Sequence, residues 1–307
     1  MKHKLQINPI LKRELMVGSR SIKMPLLIMG INLLLTLIVV FVMVIAQVNT
    51  SVYDYQSLLQ LFPTLACLEC GLLSLVVPVF TSSAISGERE RQTLDIMLTT
   101  PVKPLKIVFG KLESAVIVTM MYIIASVPLL AISFVLGGMN WSALFFQVGM
   151  LFYLGIYVGS VGIFCSSVVK KSVAATILTI AIGIGIIAGT GIISGVWIGI
   201  ENYVGYMKYG DGYNYKIGAE LMVLMLNPYA PFFDFILRSV SGTSVFELWK
   251  SSGKSSTILQ TIYRAWIPIS MILNLLVSFG FLKLAARSVV ATKTKKVKGK
   301  RKGNDGA

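Results

Sequence analysis

The sequence has little of the chemistry on which soluble enzymes and secreted domains rely. Its 307 residues include one histidine, His3, three cysteines and only 13 Asp or Glu residues. A single histidine near a terminus argues against a histidine-based metal or catalytic site, and three cysteines do not make a disulfide framework. The acids are outnumbered by 28 Lys and Arg residues, which gives a formal net charge of +15. The class of the protein must therefore be inferred from its apolar residues and from the placement of its charges.

Apolar residues are abundant. Hydrophobic residues make up 55% of the chain and the mean hydropathy is +0.77, which indicates a polytopic membrane protein. We predict an all-α fold with six membrane spans, at residues 24–46, 58–81, 105–136, 142–168, 173–198 and 263–286. Residues 1–23 are predicted to hold an amphipathic helix at the membrane interface, starting at Asn8-Pro9. Residues 287–307 are predicted to be a basic cytoplasmic tail, in which the lysine run 293–302 is disordered.

The basic residues are distributed unevenly about these spans. The two termini together with Lys283, segment 84–111 and Lys170-Lys171 carry 22 of the 28 Lys and Arg residues. The predicted external loop 199–262 carries five, and Arg264, just after it, is the sixth on that side. The positive-inside rule then places both termini in the cytoplasm of a multi-pass protein of the cell membrane. No aromatic-interleaved basic domain accompanies the tail, so we expect contact with the lipid bilayer and no nucleic-acid partner.

A strongly charged stretch, residues 86–101, separates the second and third predicted spans. We predict a short cytoplasmic helix that is capped by Ser86 or Gly87 and ended by Pro101, with Glu88 and Glu90 in its electropositive first turn. Leu94, Met97 and Leu98 recur at helical spacing and form a small apolar face on this helix. Such a helix is suited to docking on a soluble protein, and the alternative is an ordinary solvated loop helix.

Segment 88–111 carries the pattern E-x-E-x-x-T-L-x-x-x-L-x-x-P followed by G-K. It resembles the first cytoplasmic loop of ABC-2 type permeases, the membrane subunits of ATP-binding-cassette exporters. The resemblance implies six spans, a coupling loop at 84–104 whose coupling helix docks on a cytoplasmic ATPase subunit, and a dimer with a second permease subunit, identical or different. The residues to which it assigns coupling are Glu88, Glu90, Arg91, Thr93, Leu94, Met97 and Leu98.

The chain itself has no nucleotide-binding motif. Gly253-Lys254-Ser255 looks like the end of a phosphate-binding loop, but the glycine required five residues before Gly253 is replaced by Leu248. Gly110-Lys111 fails in the same way, with Leu105 at that position. We therefore predict no enzymatic activity and no cofactor on this chain, with ATP and Mg bound by the partner ATPase.

Glu69 lies near the middle of the second predicted span. An intramembrane carboxylate is energetically expensive, so Glu69 is a candidate pathway residue. The alternative is a carboxyl group that is hydrogen-bonded to another span, for example to Asn32, Gln147 or Asn274. Cys67-x-x-Cys70 flanks Glu69 and has the spacing of a soft-metal or redox pair, but two thiols in one apolar helix more often pack as small residues.

Glycines recur at intervals of four residues in two predicted spans. Gly191, Gly195 and Gly199 form a smooth ridge in the fifth, and Gly155 and Gly159 form one in the fourth. Such a ridge lets another helix approach closely, either within one subunit or at a subunit interface. The resemblance favours the interface for the fifth span.

Three functions remain open on the sequence. The first is the permease half of an exporter that moves an unidentified substrate outward. The second is a non-transporting sensor or immunity subunit of an ABC complex. The third, an ion-coupled secondary transporter built on Glu69, lacks visible inverted repeats and paired intramembrane charges.

Overall fold

The computed structural model describes residues 22–49, 61–94, 104–137, 141–210, 219–244 and 265–304. These residues form seven α-helices and one 3-10 helix, and the described ranges contain no strand. In chain order the elements are α1 (Lys23–Asn49), α2 (Leu61–Glu90), α3 (Pro104–Gly137), α4 (Trp141–Val168), α5 (Ser172–Tyr209), the 3-10 helix (Ala219–Leu226), α6 (Ala230–Ser241) and α7 (Trp266–Asn304).

The six predicted spans and the all-α membrane class are confirmed. Helices α1 to α5 and α7 are each long and apolar enough to cross a bilayer, since about 20 apolar residues suffice for a hydrocarbon layer of about 30 Å. The predicted interfacial helix in residues 1–23 lies almost entirely outside the described residues, so it stays a prediction.

Helices α5 and α7 run well past their predicted ends. Helix α5 continues to Tyr209 and ends at Gly210, whose φ of 71° closes the helix, so the first part of the predicted loop 199–262 is helical. Helix α7 continues to Asn304, and the prediction of a disordered tail is wrong. Neither extension contains a proline, which would interrupt a helix, and the α7 extension is rich in Lys, a good helix former, so each helix continues beyond its apolar span.

Helix α4 is the centre of the bundle. Seventeen of its 28 residues are buried, and it packs against α2, α3, α5 and α7. Helix α5 is the opposite case, with four buried residues among 38: Ala175, Thr179, Ser194 and Gly205. The core therefore lies on one side of α5, and most of that helix faces outward.

Two short helices, the 3-10 helix and α6, precede α7. The turn between them reaches back into the bundle. Asn227 donates to Thr190 Oγ1 of α5 at 2.9 Å, and Tyr229 donates its hydroxyl to Ser74 of α2 at 2.9 Å. The backbone carbonyl of Met225 accepts from two polar side chains of α7 at 2.8 and 3.0 Å. The turn is thus tied to three membrane helices at once.

Candidate functional site

The charged segment does not begin a separate helix at Ser86 or Gly87, and that prediction is wrong. Ser86 donates its hydroxyl to the carbonyl of Ser82, four residues back, so it lies inside α2, which continues to Glu90. Glu88 and Glu90 therefore occupy the last turn of a long helix instead of the first turn of a short one. Hydropathy marks where a span leaves lipid but does not mark where its helix stops, because charged residues continue a helix readily.

The end of α2 is a Schellman motif. The Thr93 amide donates to the Glu88 carbonyl at 2.9 Å, and the Gln92 amide donates to the Arg89 carbonyl at 3.1 Å, which is the paired 6→1 and 5→2 pattern of that cap. Gln92 takes the left-handed conformation, with φ of 58°, where glycine is usual. The chain thus turns sharply immediately before the rest of the coupling segment.

The Glu88 carboxylate has two partners, Lys111 and Thr93. Lys111 of α3 lies 3.3 Å from its carboxylate in a largely buried ion pair, and the Thr93 hydroxyl also donates to that carboxylate. The predicted coupling residues Glu88 and Thr93 therefore join the end of α2 to α3 and to the turn that follows.

Arg89 and Glu90 reach the ends of two other helices. Arg89 donates to the carbonyls of Ser167 and Val169, at the C-terminus of α4, at 3.0 and 3.3 Å. The Glu90 carboxylate accepts from both the amide and the hydroxyl of Ser172, the first residue of α5, each at 2.9 Å. We call these two sets of contacts the α4–α5 clamp. Each charge complements the dipole of the helix end that it meets.

A contact rich in hydroxyl groups lies about one helical turn before this clamp along α2. Ser166 Oγ of α4 accepts from the backbone amides of Ile85 and Ser86, both at 2.9 Å, and Ser82 shares a short hydrogen bond with Thr176 of α5. These small residues let the cytoplasmic ends of α2, α4 and α5 approach closely.

Of the three residues of the predicted apolar docking face, Leu94, Met97 and Leu98, the structure describes only Leu94. Leu94 is only 5% exposed and packs in an apolar cluster with Ile85, Val108 and Val289, so its side chain is covered by the chain itself. Met97 and Leu98 lie outside the described residues. Arg91 is exposed beside the clamp, and a docking role for Arg91, Met97 and Leu98 stays a prediction.

Glu69 is enclosed within the bundle, with 1% exposure. Ser126 of α3 donates to Oε1, and Gln147 of α4 also approaches the carboxyl group, although Oε2 has no well-aligned hydrogen bond within the described residues. Asn32 and Asn274, the other partners considered, donate to backbone carbonyls elsewhere. Sequence reasoning missed Ser126 because a lone serine in an apolar helix carries no periodic signal. The pathway role of Glu69 stays a prediction.

The two glycine ridges lie in different surroundings. A Cβ built at Gly155 would lie 2.7 Å from Thr119 Cγ2 of α3, so α4 uses its ridge for packing inside the subunit. A Cβ at Gly191, Gly195 or Gly199 would meet nothing within 4 Å. The ridge of α5 is therefore open, and within the described residues no helix of the same chain covers it.

A cavity of about 110 Å³ lies between α2, α4, α5 and the Asn227–Tyr229 turn. Its walls are mainly aliphatic, and the polar groups among them are few: Ser74, Tyr157, Thr179 and Tyr229. Among the residues that the structure describes, no charged side chain lines it. Hydropathy carries no signal for this cavity, because the cavity depends on which faces of three apolar helices meet.

Residues 70–287 match a family model described as ABC-2 family transporter protein. The matched range runs from the middle of α2 through the membrane-crossing part of α7, and it includes the whole charged segment and the clamp. No curated protein matches the sequence.

Proposed function

The chain belongs to the ABC-2 family of transporter proteins, and on that premise we propose that it is the permease half of an exporter. It is the membrane subunit of an ABC transporter, and permeases of this family work with a cytoplasmic ATPase. In our proposal the separate ATPase binds ATP and Mg, and this chain converts the ATPase's movement into outward transport of a substrate. Both termini then lie in the cytoplasm, and the cell membrane is the location.

The observation that carries this proposal is that the family match covers the charged segment together with all or most of five of the six spans. The end of α2 supports it, because Glu88, Arg89 and Glu90 connect that segment directly to α3, α4 and α5. A partner that binds the segment just beyond Gln92 would be in mechanical contact with three membrane helices at once.

We also propose that α5 contributes to a dimer, with an identical or a different second permease. The open glycine ridge supports this, since Gly191, Gly195 and Gly199 are flanked by exposed apolar side chains such as Ile192 and Val196. A ridge without Cβ atoms lets a second helix pack at short range in the bilayer.

Co-purification of the ATPase tests the proposal. The ATPase should be retained by the wild-type permease and lost by Leu98→Asp, because burying an unpaired carboxylate costs more than a small apolar face contributes, a few kcal/mol. Leu98→Met is the matched control, since it keeps an apolar side chain of similar volume. Leu94→Asp does not serve here, because Leu94 is buried within the chain itself.

ATP hydrolysis by the complex in proteoliposomes should fall in parallel with ATPase retention. Retention of the ATPase at the wild-type level by Leu98→Asp would place the docking site elsewhere. Failure of the wild-type chain to bind any ATPase would refute the proposed function.

A further inference from the structure

We propose that Arg89 and Glu90 are positioning residues that transmit movement of the ATPase-docking segment to α5. The inference rests on the proposed function and deepens it, since it names the element that responds when the ATPase changes state. Neither residue contacts substrate in this proposal. Each acts through the helix end that it holds.

The first argument is that α5 takes its N-terminal cap from α2. The residue before the helix, Lys171, makes no side-chain cap hydrogen bond. The Glu90 carboxylate, 82 positions away in sequence, binds the Ser172 amide and hydroxyl instead. Helix caps are normally supplied by the residue at the start of the helix itself. A cap brought from another helix ties the start of α5 to the position of α2.

The second argument is that the connection to the docking segment is short and stiff. Glu90 is the last residue of α2, and the Schellman turn at Arg91–Gln92 follows directly. The Thr93 contacts with Glu88 close that turn. A displacement of the segment beyond Thr93 therefore reaches Glu90 through a few residues that are hydrogen-bonded to one another, without a flexible linker.

The third argument is the unequal anchoring of the two helices that the clamp holds. Arg89 binds the C-terminus of α4, and α4 is fixed by its seventeen buried residues. Glu90 binds the start of α5, which has only four. The same displacement therefore meets strong resistance from α4 and weak resistance from α5. We infer that α4 serves as the fixed support and that α5 moves.

The test uses the full-length permease in complex with its ATPase in lipid nanodiscs. The three native cysteines are replaced, and one cysteine is placed at Met207, an exposed residue near the external end of α5. An environment-sensitive fluorophore on that cysteine is compared between the nucleotide-free state and the vanadate-trapped ATP state. The wild type should give a nucleotide-dependent change in emission.

Glu90→Gln keeps one acceptor oxygen but removes the charge and the two-oxygen contact. It should reduce the nucleotide-dependent change about five-fold or more, a typical size for coupling between two sites. Binding of the ATPase and the unfolding temperature should stay close to wild type. Ser172→Ala removes the hydroxyl that donates to Glu90 and accepts from Ser86 but leaves the Ser172 amide contact. It should give a smaller loss and keeps the test valid should Glu90→Gln reduce folded yield.

Glu113→Gln is the matched control. It is the same chemical change at an exposed position of α3 outside the clamp, and it should respond like the wild type. The double variant Glu90→Gln with Ser172→Ala should be no worse than Glu90→Gln alone, because both changes break one contact. If the double variant loses as much of the nucleotide-dependent change as the two single variants together, general destabilisation is indicated and the inference is overturned.

The failures can be told apart. If Glu90→Gln binds the ATPase and α5 still responds fully to nucleotide, the inference is wrong and the proposed function stands. If the wild-type chain binds no ATPase, the proposed function fails and the inference fails with it.

Discussion

Helices α4 and α5 follow one another in the chain and carry the same four-residue glycine spacing, yet the spacing serves different ends. In α4 the ridge lies against Thr119 and Leu112 of α3, with Cβ positions at Gly155 and Gly159 that would approach them to 2.7 and 3.2 Å. In α5 the positions of the ridge are open. A glycine ridge thus specifies a smooth surface, and the residues of the neighbouring helix decide what covers it.

The difference follows from what faces each ridge. Thr119 and Thr81 present short branched side chains that fill the space left by the α4 glycines. The outward face of α5 carries large aliphatic side chains on either side of its ridge, among them Ile192, Ile193 and Val196, each at least half exposed. Such a face is suited to lipid or to a second subunit.

The largest expected effect comes from filling the closed ridge. Gly155→Ala gains about 1 kcal/mol of helix propensity, but its new methyl group overlaps Thr119 Cγ2. Overpacking typically costs about 1–3 kcal/mol, so we expect net destabilisation, seen as a lower unfolding temperature and a lower folded yield. Adding Thr119→Ser removes the overlapping methyl group and should restore stability. A stable single variant that gains nothing from Thr119→Ser would show that the ridge is not tightly packed.

The open ridge should respond in the opposite way. Gly191→Leu and Gly195→Leu have room within the subunit, so the unfolding temperature of the monomer should not fall. Dimer formation should weaken about ten-fold, or about 1.4 kcal/mol, measured by cross-linking of labelled subunits in nanodiscs. Unchanged dimerisation with both residues replaced would remove α5 from the interface and leave its ridge facing lipid.

Glu69→Gln probes the polar interior beside α4 and should have the smallest effect on stability. Glutamine keeps the size of the side chain and an acceptor for Ser126, so the free energy of unfolding should change by less than about 1 kcal/mol. We expect ATP hydrolysis by the assembled complex to become uncoupled from transport. A variant that fails to assemble, or that cycles normally, would contradict a role for Glu69 in the pathway or in gating.

The sequence predicts the spans well and their partners poorly, for one physical reason. A stretch of about 20 apolar residues is sufficient to place a helix in lipid, and this locates α3 and α4 to within a residue. The same apolarity surrounds each helix on all sides, so hydropathy does not separate the buried face of α4 from the lipid-facing side of α5.

The clamp was missed for a related reason. Its contacts join residues about 80 positions apart, such as Arg89 with Ser167 and Glu90 with Ser172. The pattern marks Glu88 and Glu90 as unusual and assigns them to contact with a partner, which stays a prediction, but it carries no signal for their contacts with Lys111 and Ser172. A charged pair after a span fits both interpretations until the neighbouring helix ends are known.

The turn at Asn227–Tyr229 constrains how far α2 and α5 can move apart. It holds α5 through Thr190 and α2 through Ser74, while the preceding Met225 carbonyl is held by α7. The turn is bonded to α2 and to α5 at the same time. If these two helices separate, the turn must lose its hydrogen bond to Ser74 or its hydrogen bond to Thr190. Any separation of α2 from α5 at this level is therefore opposed by specific hydrogen bonds as well as by apolar packing.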